Sequence, residues 1–121
     1  MQDNALTQAL AQALYDNKAY DIIALHVGDM TVVCDWMILS SGRNVNQVKA
    51  LANDVDEKAA ELGLPLRRME GQNEGRWIVL DYGHIVVHVF HQEERAYYNL
   101  ERLWEDGKNR LELPFDQTAE D

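Results

Sequence analysis

The chain has little cysteine, no long apolar run and no basic start. Its 121 residues include one cysteine, Cys34, which excludes a disulfide within the chain and a cysteine-based zinc cluster. No apolar run approaches the roughly 20 residues of a membrane span. The opening residues MQDNALTQAL lack both the basic start and the continuous apolar core of a signal peptide. These absences predict a cytoplasmic protein.

The chain also has few basic residues. Only 11 Lys and Arg residues stand against 21 Asp and Glu residues, which gives a formal charge of -10. Phosphate backbones and anionic membranes repel such a chain, so we expect little direct contact with nucleic acid and no membrane binding. The negative charge favours a basic protein partner, or it serves solubility alone.

Apolar periodicity and turn residues predict the order helix, strand, strand, helix, three strands and helix. The first helix is expected to start at an Asn4 cap, and the second to run from an Asn44 cap to a stop at Gly63. The helices are expected over about 5–18, 45–62 and 92–104. The strands are expected over 21–27, 36–39, 64–69, 77–81 and 84–90.

This order predicts an α/β fold, with a mixed β-sheet of about five strands flanked by helices. The strand–helix–strand stretch 36–69 is expected to form a right-handed crossover unit. The domain is expected to span residues 1–105, and an acidic, flexible tail is expected over 106–121.

Two patterns of reactive side chains fail to make a site. His84 and His88 fall on one side of a strand, but four strand residues span about 13 Å, whereas imidazoles that share a zinc ion each lie about 2 Å from it. We therefore predict no metal site and no other cofactor. Cys34 lacks an activating neighbour in the sequence, so it is expected to be structural rather than nucleophilic.

The segment ILSSGRN, residues 38–44, leads from a strand to a helix N-terminus, where free N–H groups attract anions. A strand, a Gly/Ser turn and a helix also begin the nucleotidyltransferase architecture, whose enzymes hold two divalent cations with acidic residues on adjoining strands. Strand 84–90 carries no carboxylate, and the spacing of Asp35 and Asp81 does not require them to meet. No Walker lysine follows Gly42. We predict this scaffold without the catalytic carboxylates; a nucleotide-processing enzyme is the alternative hypothesis.

The hairpin WIVLDYGHIVVHVF, residues 77–90, is apolar on both faces. Successive residues such as Val87 and His88 face opposite sides of a strand, and both sides carry apolar residues, so the hairpin is either central in the sheet or covered by another molecule. Trp77 and a histidine beside charged residues are typical of a protein interface. The alternative is that Trp77 belongs to the core.

Motifs in a fixed order run along residues 5–105. They are DIIALHV at 21–27, TVVCDWMILSSGRNVNQVKALANDV at 31–55, Glu70-Gly71, WIVLDYGHIVVHVF at 77–90 and RAYYNLERLW at 95–104. Their ordered combination resembles the ribosomal silencing factor S family, also called the Iojap-like family. His26 and His84 depart from the family pattern, which commonly has Asp at both positions.

The resemblance implies a protein that is not an enzyme and that binds the large ribosomal subunit through ribosomal protein L-fourteen. By covering the surface that meets the small subunit, such a protein blocks subunit joining and represses translation. A homodimer of the free protein, formed through the sheet, is a further hypothesis. The residues implied to bind the partner are Glu70, Gly71, Trp77, Asp81, His88, Glu93, Arg95 and Tyr98.

Overall fold

The computed structural model describes residues 3–117, which form four helices and five strands. None of these helices is long and apolar enough to cross a membrane. The helices are α1 (Asp3–Asp16), α2 (Val45–Glu61), α3 (Gln92–Tyr98) and α4 (Glu101–Trp104). The strands are β1 (Tyr20–His26), β2 (Trp36–Gly42), β3 (Arg68–Glu70), β4 (Trp77–Asp81) and β5 (Ile85–His91).

The strands form one mixed sheet in the order β1-β2-β5-β4-β3. β2 and β5 pair in parallel, and all other neighbours are antiparallel. The predicted α/β class with a five-stranded mixed sheet is confirmed. The stretch 36–69 joins β2 to β3, which run in the same direction but are not neighbours, because the β4–β5 hairpin inserts between them.

Helices α1 and α2 pack on one face of the sheet, which we call the covered face. The side chain of Asn44 caps α2 by accepting a hydrogen bond from the Gln47 amide at 2.8 Å. Gly63 follows the helix with a φ of +79°. Both signals are readable in the sequence, because capping and the left-handed stop are local requirements. The buried residues of α2 are Val48, Leu51, Ala52, Val55 and Ala59.

The opposite face, the open face, is covered only in part by the segment that carries α3 and α4. The single helix predicted over 92–104 is wrong, because the backbone turns left-handed at Asn99, with a φ of 48° and a ψ of 50°. Asparagine tolerates this conformation better than most residues. The break lets Leu100 and Trp104 pack against the open face.

Two further boundaries differ from the predictions. Helix α1 is described from Asp3 onward, so Asn4 lies in its first turn rather than at its cap. The strand predicted over 64–69 begins at Arg68. Pro65 has no N–H to contribute to a ladder, so β3 pairs with β4 only after it.

Residues 109–117, the C-terminal segment, lie along the outer edge of β1. The amide of His26 donates to the carbonyl of Asn109 at 2.8 Å, and the amide of Leu111 donates to the carbonyl of Ala24 at 2.8 Å. The side-chain amide of Gln117 pairs with both backbone groups of Ile22, at 2.8 and 2.9 Å. The described part of the expected tail thus extends the sheet, and residues 118–121 lie outside the described residues.

Candidate protein-binding face

The open face contains an apolar groove of about 290 Å³. The sheet supplies most of its lining, and the segment after Asn99 supplies one side. Polar side chains occur mainly at its rim, where Arg68 and Glu70 form an ion pair at 3.3 Å. The apolar residues that define the groove are Met37, Trp77, Val79, Val86, Leu100 and Trp104.

The two-residue period of β4 and β5 builds the groove. Ile78 and Leu80 are fully buried in the core under α1 and α2, while Trp77 and Val79 between them face the groove. On β5, His88 also faces the groove, because it pairs with Val79 across the two strands. A one-residue shift in register would exchange these sets, so the pairing of β4 with β5 fixes the site.

Trp77 is half-buried in a cluster of aromatic rings on the open face. Its ring centroid lies 4.8 Å from that of Phe90 and 4.8 Å from that of Tyr98. The indole N–H of Trp77 donates to Nδ1 of His88 at 3.1 Å. These contacts hold Trp77 rigid, so it can serve both the packing of the open face and recognition by a partner.

His88 is only 8% exposed, although it lines the groove. Burial lowers the pKa of His88 to about 4, because the charged ring would lose its hydration. At neutral pH the imidazole is therefore uncharged.

Cys34 lies buried beside the groove, in the loop before β2. Burial raises the pKa of its thiol to about 11, and the charges of Asp35 and Asp81 add to this effect. A protonated thiol is a poor nucleophile. The geometry thus supports the structural interpretation of Cys34.

The groove and its aromatic cluster belong to a fold that known proteins share. A family model described as "Ribosomal silencing factor during starvation" matches residues 1–121 of the chain. The chain belongs to this family of ribosomal silencing factors.

Individual relatives in the silencing-factor family are similar over most of their length. A protein of Bacillus subtilis named "Ribosomal silencing factor RsfS" is 41% identical over 107 residues, which cover 88% of this chain and 91% of the relative. One of Halalkalibacterium halodurans with the same name is 40% identical over 107 residues, or 88% and 92% of the two chains. A crystal structure of a Chromobacterium violaceum protein superposes with a TM-score of 0.84 at 34% identity, over 98% of both chains.

Five of the eight residues that the family resemblance singles out gather on the open face. Glu70, Trp77, Asp81 and His88 line the groove, and the ring of Tyr98 packs against Trp77 at a tilt of 46°. Asp81 also accepts a hydrogen bond from the Gly83 amide at 2.8 Å, which fixes the turn between β4 and β5. Whether each residue touches a partner stays a prediction.

Gly71 has a backbone reason to be glycine. Its φ is +89°, and an added Cβ would lie 2.0 Å from the carbonyl oxygen of Trp77. No side chain fits there, so the loop after β3 can lie against the start of β4 only with glycine at this position.

Glu93 and Arg95 do not line the groove. Glu93 pairs with Arg76 at 2.8 Å on the surface. Arg95 is buried, and it donates to Ser41 Oγ at 2.9 Å and to the Glu101 carboxylate at 3.2 Å. Arg95 therefore ties the α3–α4 turn to the end of β2, a role that the sequence did not indicate.

One apolar residue of the groove lining, Val33, was not among the sequence-based candidates. Val33 is largely exposed, as are its neighbour Val32 and, on α4, Leu103. Two adjacent valines in a loop after Gly28 were a usable signal, because β-branched residues outside a strand are seldom left in solvent without a reason.

Two groups of potential metal ligands occur within residues 3–117. Asp3, Asp35 and His84 form one group, in which His84 Nδ1 lies 3.2 Å from Asp35 Oδ2. The other consists of His91, Glu93 and Glu94. There Arg76 binds one oxygen of each carboxylate, and His91 Nδ1 accepts a hydrogen bond from the Glu93 amide at 3.1 Å, so most of the ligand atoms are already engaged.

Proposed function

We propose that the chain binds the large ribosomal subunit through ribosomal protein L-fourteen, blocks joining of the small subunit by steric exclusion and so represses translation. The observation that carries this proposal is the apolar, incompletely covered open face. The relatives of the chain are named ribosomal silencing factors, and this name describes a regulatory role.

The border of the groove supports a docking role. Leu103 is 73% exposed and Val33 is 76% exposed, and Tyr98 is half-exposed on top of Trp77. Exposed apolar and aromatic side chains around an apolar groove with a polar rim are typical of sites where another protein docks. A protein bound there would cover the exposed apolar area and leave the charged outer surface of α2 in solvent.

The charge of the chain supports the choice of partner. A formal charge of -10 disfavours binding to ribosomal RNA. It favours binding to a basic protein surface that the surrounding RNA leaves exposed. Charge raises the rate of encounter, while the apolar groove fixes the register. Steric exclusion needs only affinity for the partner and enough volume to clash with the small subunit. The proposal therefore includes no enzymatic activity and no cofactor. It assigns the protein to the cytoplasm, where ribosomal subunits join.

The implied contact set divides by geometry within this proposal. Glu70, Trp77, Asp81, His88 and Tyr98 are the direct contacts, and Glu93 adds a charged contact outside the groove. Gly71 and Arg95 act indirectly by holding the loop after β3 and the α3–α4 turn. A homodimer of the free protein would use the same open face, so a second copy would compete with the ribosomal partner.

The experiment is a pull-down against isolated ribosomal protein L-fourteen, together with co-sedimentation with free large subunits. Wild type is expected to bind, Trp77→Ala to lose most binding, and Glu93→Lys to weaken it. A Glu57→Lys reversal on the exposed outer surface of α2 is the matched control for charge. Absence of wild-type binding to both the protein and the subunit, at micromolar concentration, would end the proposal.

A nucleotidyltransferase-like enzyme is the competing hypothesis. The described residues offer such an enzyme few metal ligands and no free phosphate-binding helix N-terminus at the expected positions. Neither group of potential metal ligands in the described part of the chain contains Asp81. The N-terminus of α2, which would attract phosphate, is occupied by its own side chains: Gln47 accepts from the Arg43 amide at 2.7 Å and donates its own amide to Asn44. An enzyme would show metal-dependent turnover of a nucleoside triphosphate that Asp81→Ala abolishes.

A further inference from the structure

His88 presents one polar atom that the described chain does not use. Its Nδ1 accepts the hydrogen bond from the indole of Trp77 at 3.1 Å. An indole N–H can only donate, so Nδ1 carries no proton. Because the buried ring is uncharged at neutral pH, its one proton must sit on Nε2. The contact with Trp77 thus fixes the tautomer.

Nε2–H is accessible from outside the protein. Among residues 3–117, the side chain of His88 forms no hydrogen bond besides the one with Trp77. In the same part of the chain, the only fully buried side-chain N or O atom without a partner is Oε1 of Glu94. Nε2 therefore keeps some contact with the exterior, and we place this N–H at the groove because His88 lines it.

We propose that the groove binds a segment of the partner protein that inserts an apolar side chain and places a neutral carbonyl oxygen on Nε2–H of His88. The inference rests on the proposed function and specifies the chemistry recognised at the same site. It makes His88 a specificity-determining residue, because a segment without an acceptor at that point leaves a buried donor unpaired.

The size and lining of the groove support a side chain as occupant. At about 290 Å³ it lies at or below the range of roughly 300–1,000 Å³ that small-molecule and cofactor sites occupy. Met37, Val86 and Leu100 offer only apolar contacts. An inserted apolar side chain would exclude water from His88 and strengthen its hydrogen bond.

The charges at the rim select the kind of acceptor. Glu70 and Asp81 line the groove against one cation, Arg68, which is paired with Glu70, so the rim keeps a net negative charge, and the whole chain is strongly acidic. A carboxylate or phosphate would be repelled at this position, whereas a backbone or amide carbonyl carries no net charge. A cationic group has no acceptor to offer Nε2–H. A neutral carbonyl is the group that satisfies both conditions.

The test compares His88→Phe with His88→Gln in binding to isolated ribosomal protein L-fourteen. Phenylalanine keeps an aromatic ring and removes the donor, so affinity is expected to fall roughly tenfold to a hundredfold. The glutamine amide can donate in place of Nε2–H, so His88→Gln is expected to stay within about threefold of wild type. Circular dichroism and thermal melting establish that both variants are folded.

A second measurement uses the wild-type protein, so it does not depend on the folding of a variant. Nitrogen-15 NMR of the imidazole is expected to show the Nε2-protonated tautomer in the free chain. Binding of the ribosomal protein is expected to slow the exchange of this proton with water. Unchanged exchange in the complex would overturn the inference.

The outcomes separate this inference from the function on which it rests. If wild type binds and His88→Phe binds equally well, the inference fails and the proposed function stands. If wild type binds neither the ribosomal protein nor the large subunit, the proposed function fails, and the inference fails with it. If the Nε2 proton is protected in a free dimer but exchanges freely in the complex with the ribosomal protein, a second copy is the occupant of the groove and the inference is overturned.

Discussion

The same strands contribute side chains to both faces of the sheet, but the two faces differ in how far they are covered. On the covered face, Leu80 and Val87 are fully buried beneath α1 and α2. On the open face, Trp77 and Val79 of the same strand as Leu80 stay half-exposed, and they line a groove. Because successive side chains of a strand point to opposite faces, one residue can stabilise the core while the next contributes to a binding surface. Variants at adjacent positions should then differ in kind.

The largest expected effect compares Leu80→Ala with Val79→Ala. Leu80 is fully buried, so its truncation should lower the free energy of unfolding by about 2–5 kcal/mol. Val79→Ala should cost about 1 kcal/mol or less, because part of its side chain already meets solvent. Urea denaturation measures both.

Binding to ribosomal protein L-fourteen should show the reverse order for this pair. Folded Leu80→Ala is expected to bind like wild type, whereas Val79→Ala should bind several-fold more weakly. Equal losses of stability at the two positions would break the comparison between the faces.

The second effect is a dependence of stability on pH that originates on the open face. Burial lowers the pKa of His88 to about 4 in the folded chain, against about 6.5 when unfolded. Between these values the unfolded state binds a proton that the folded state does not. The free energy of unfolding should therefore fall by roughly 3 kcal/mol as the pH drops from about 6.5 to about 4, with no contribution above that window.

Urea titrations of wild type and His88→Gln at about pH 7.5 and about pH 5 measure this fall in the free energy of unfolding. The variant lacks the titrating ring, so its stability should fall less over the same interval. Equal losses in the two proteins would show that His88 keeps its proton affinity on folding, and that the open face is wetter than described.

The third effect concerns the edge of the sheet. Gln117→Ala removes two hydrogen bonds to the backbone of Ile22, and the expected cost is about 1–2 kcal/mol. Gln72→Ala, at an exposed position without side-chain hydrogen bonds, is the matched control and should be neutral. If both variants unfold at the same urea concentration, the C-terminal segment does not support β1 in solution.

The smallest effect on stability is expected for Leu103→Ser. Leu103 is 73% exposed, so the free energy of unfolding should change by less than about 0.5 kcal/mol. Binding to the ribosomal protein should weaken several-fold, because an apolar contact beside the groove is lost. Glu57→Ser on the outside of α2 should change neither quantity, and a loss of binding there would move the interface away from the open face.

Much of the local structure was readable from the sequence. The cap at Asn44 and the stop at Gly63 set the ends of α2, and the apolar residues on both faces of 77–90 indicated a segment that is central in the sheet or covered. The break at Asn99 was missed, because the apolar spacing of 92–104 fits a continuous helix and the left-handed residue is chosen by packing. The family resemblance implies that Arg95 is a contact, which stays a prediction, whereas its buried pairing with Glu101 depends on that same break and is not readable in the sequence.

The sequence by itself determined the composition of the faces, the ends of α2 and the excess of negative charge, because each depends on neighbouring residues or on the sum of them. Only the tertiary structure decided that β5 pairs with β2, that residues 109–117 line β1, and that Trp77 fixes the proton of His88. These features join residues far apart in the chain. Their geometry follows from strand order and register, which long-range packing selects and local patterns do not encode.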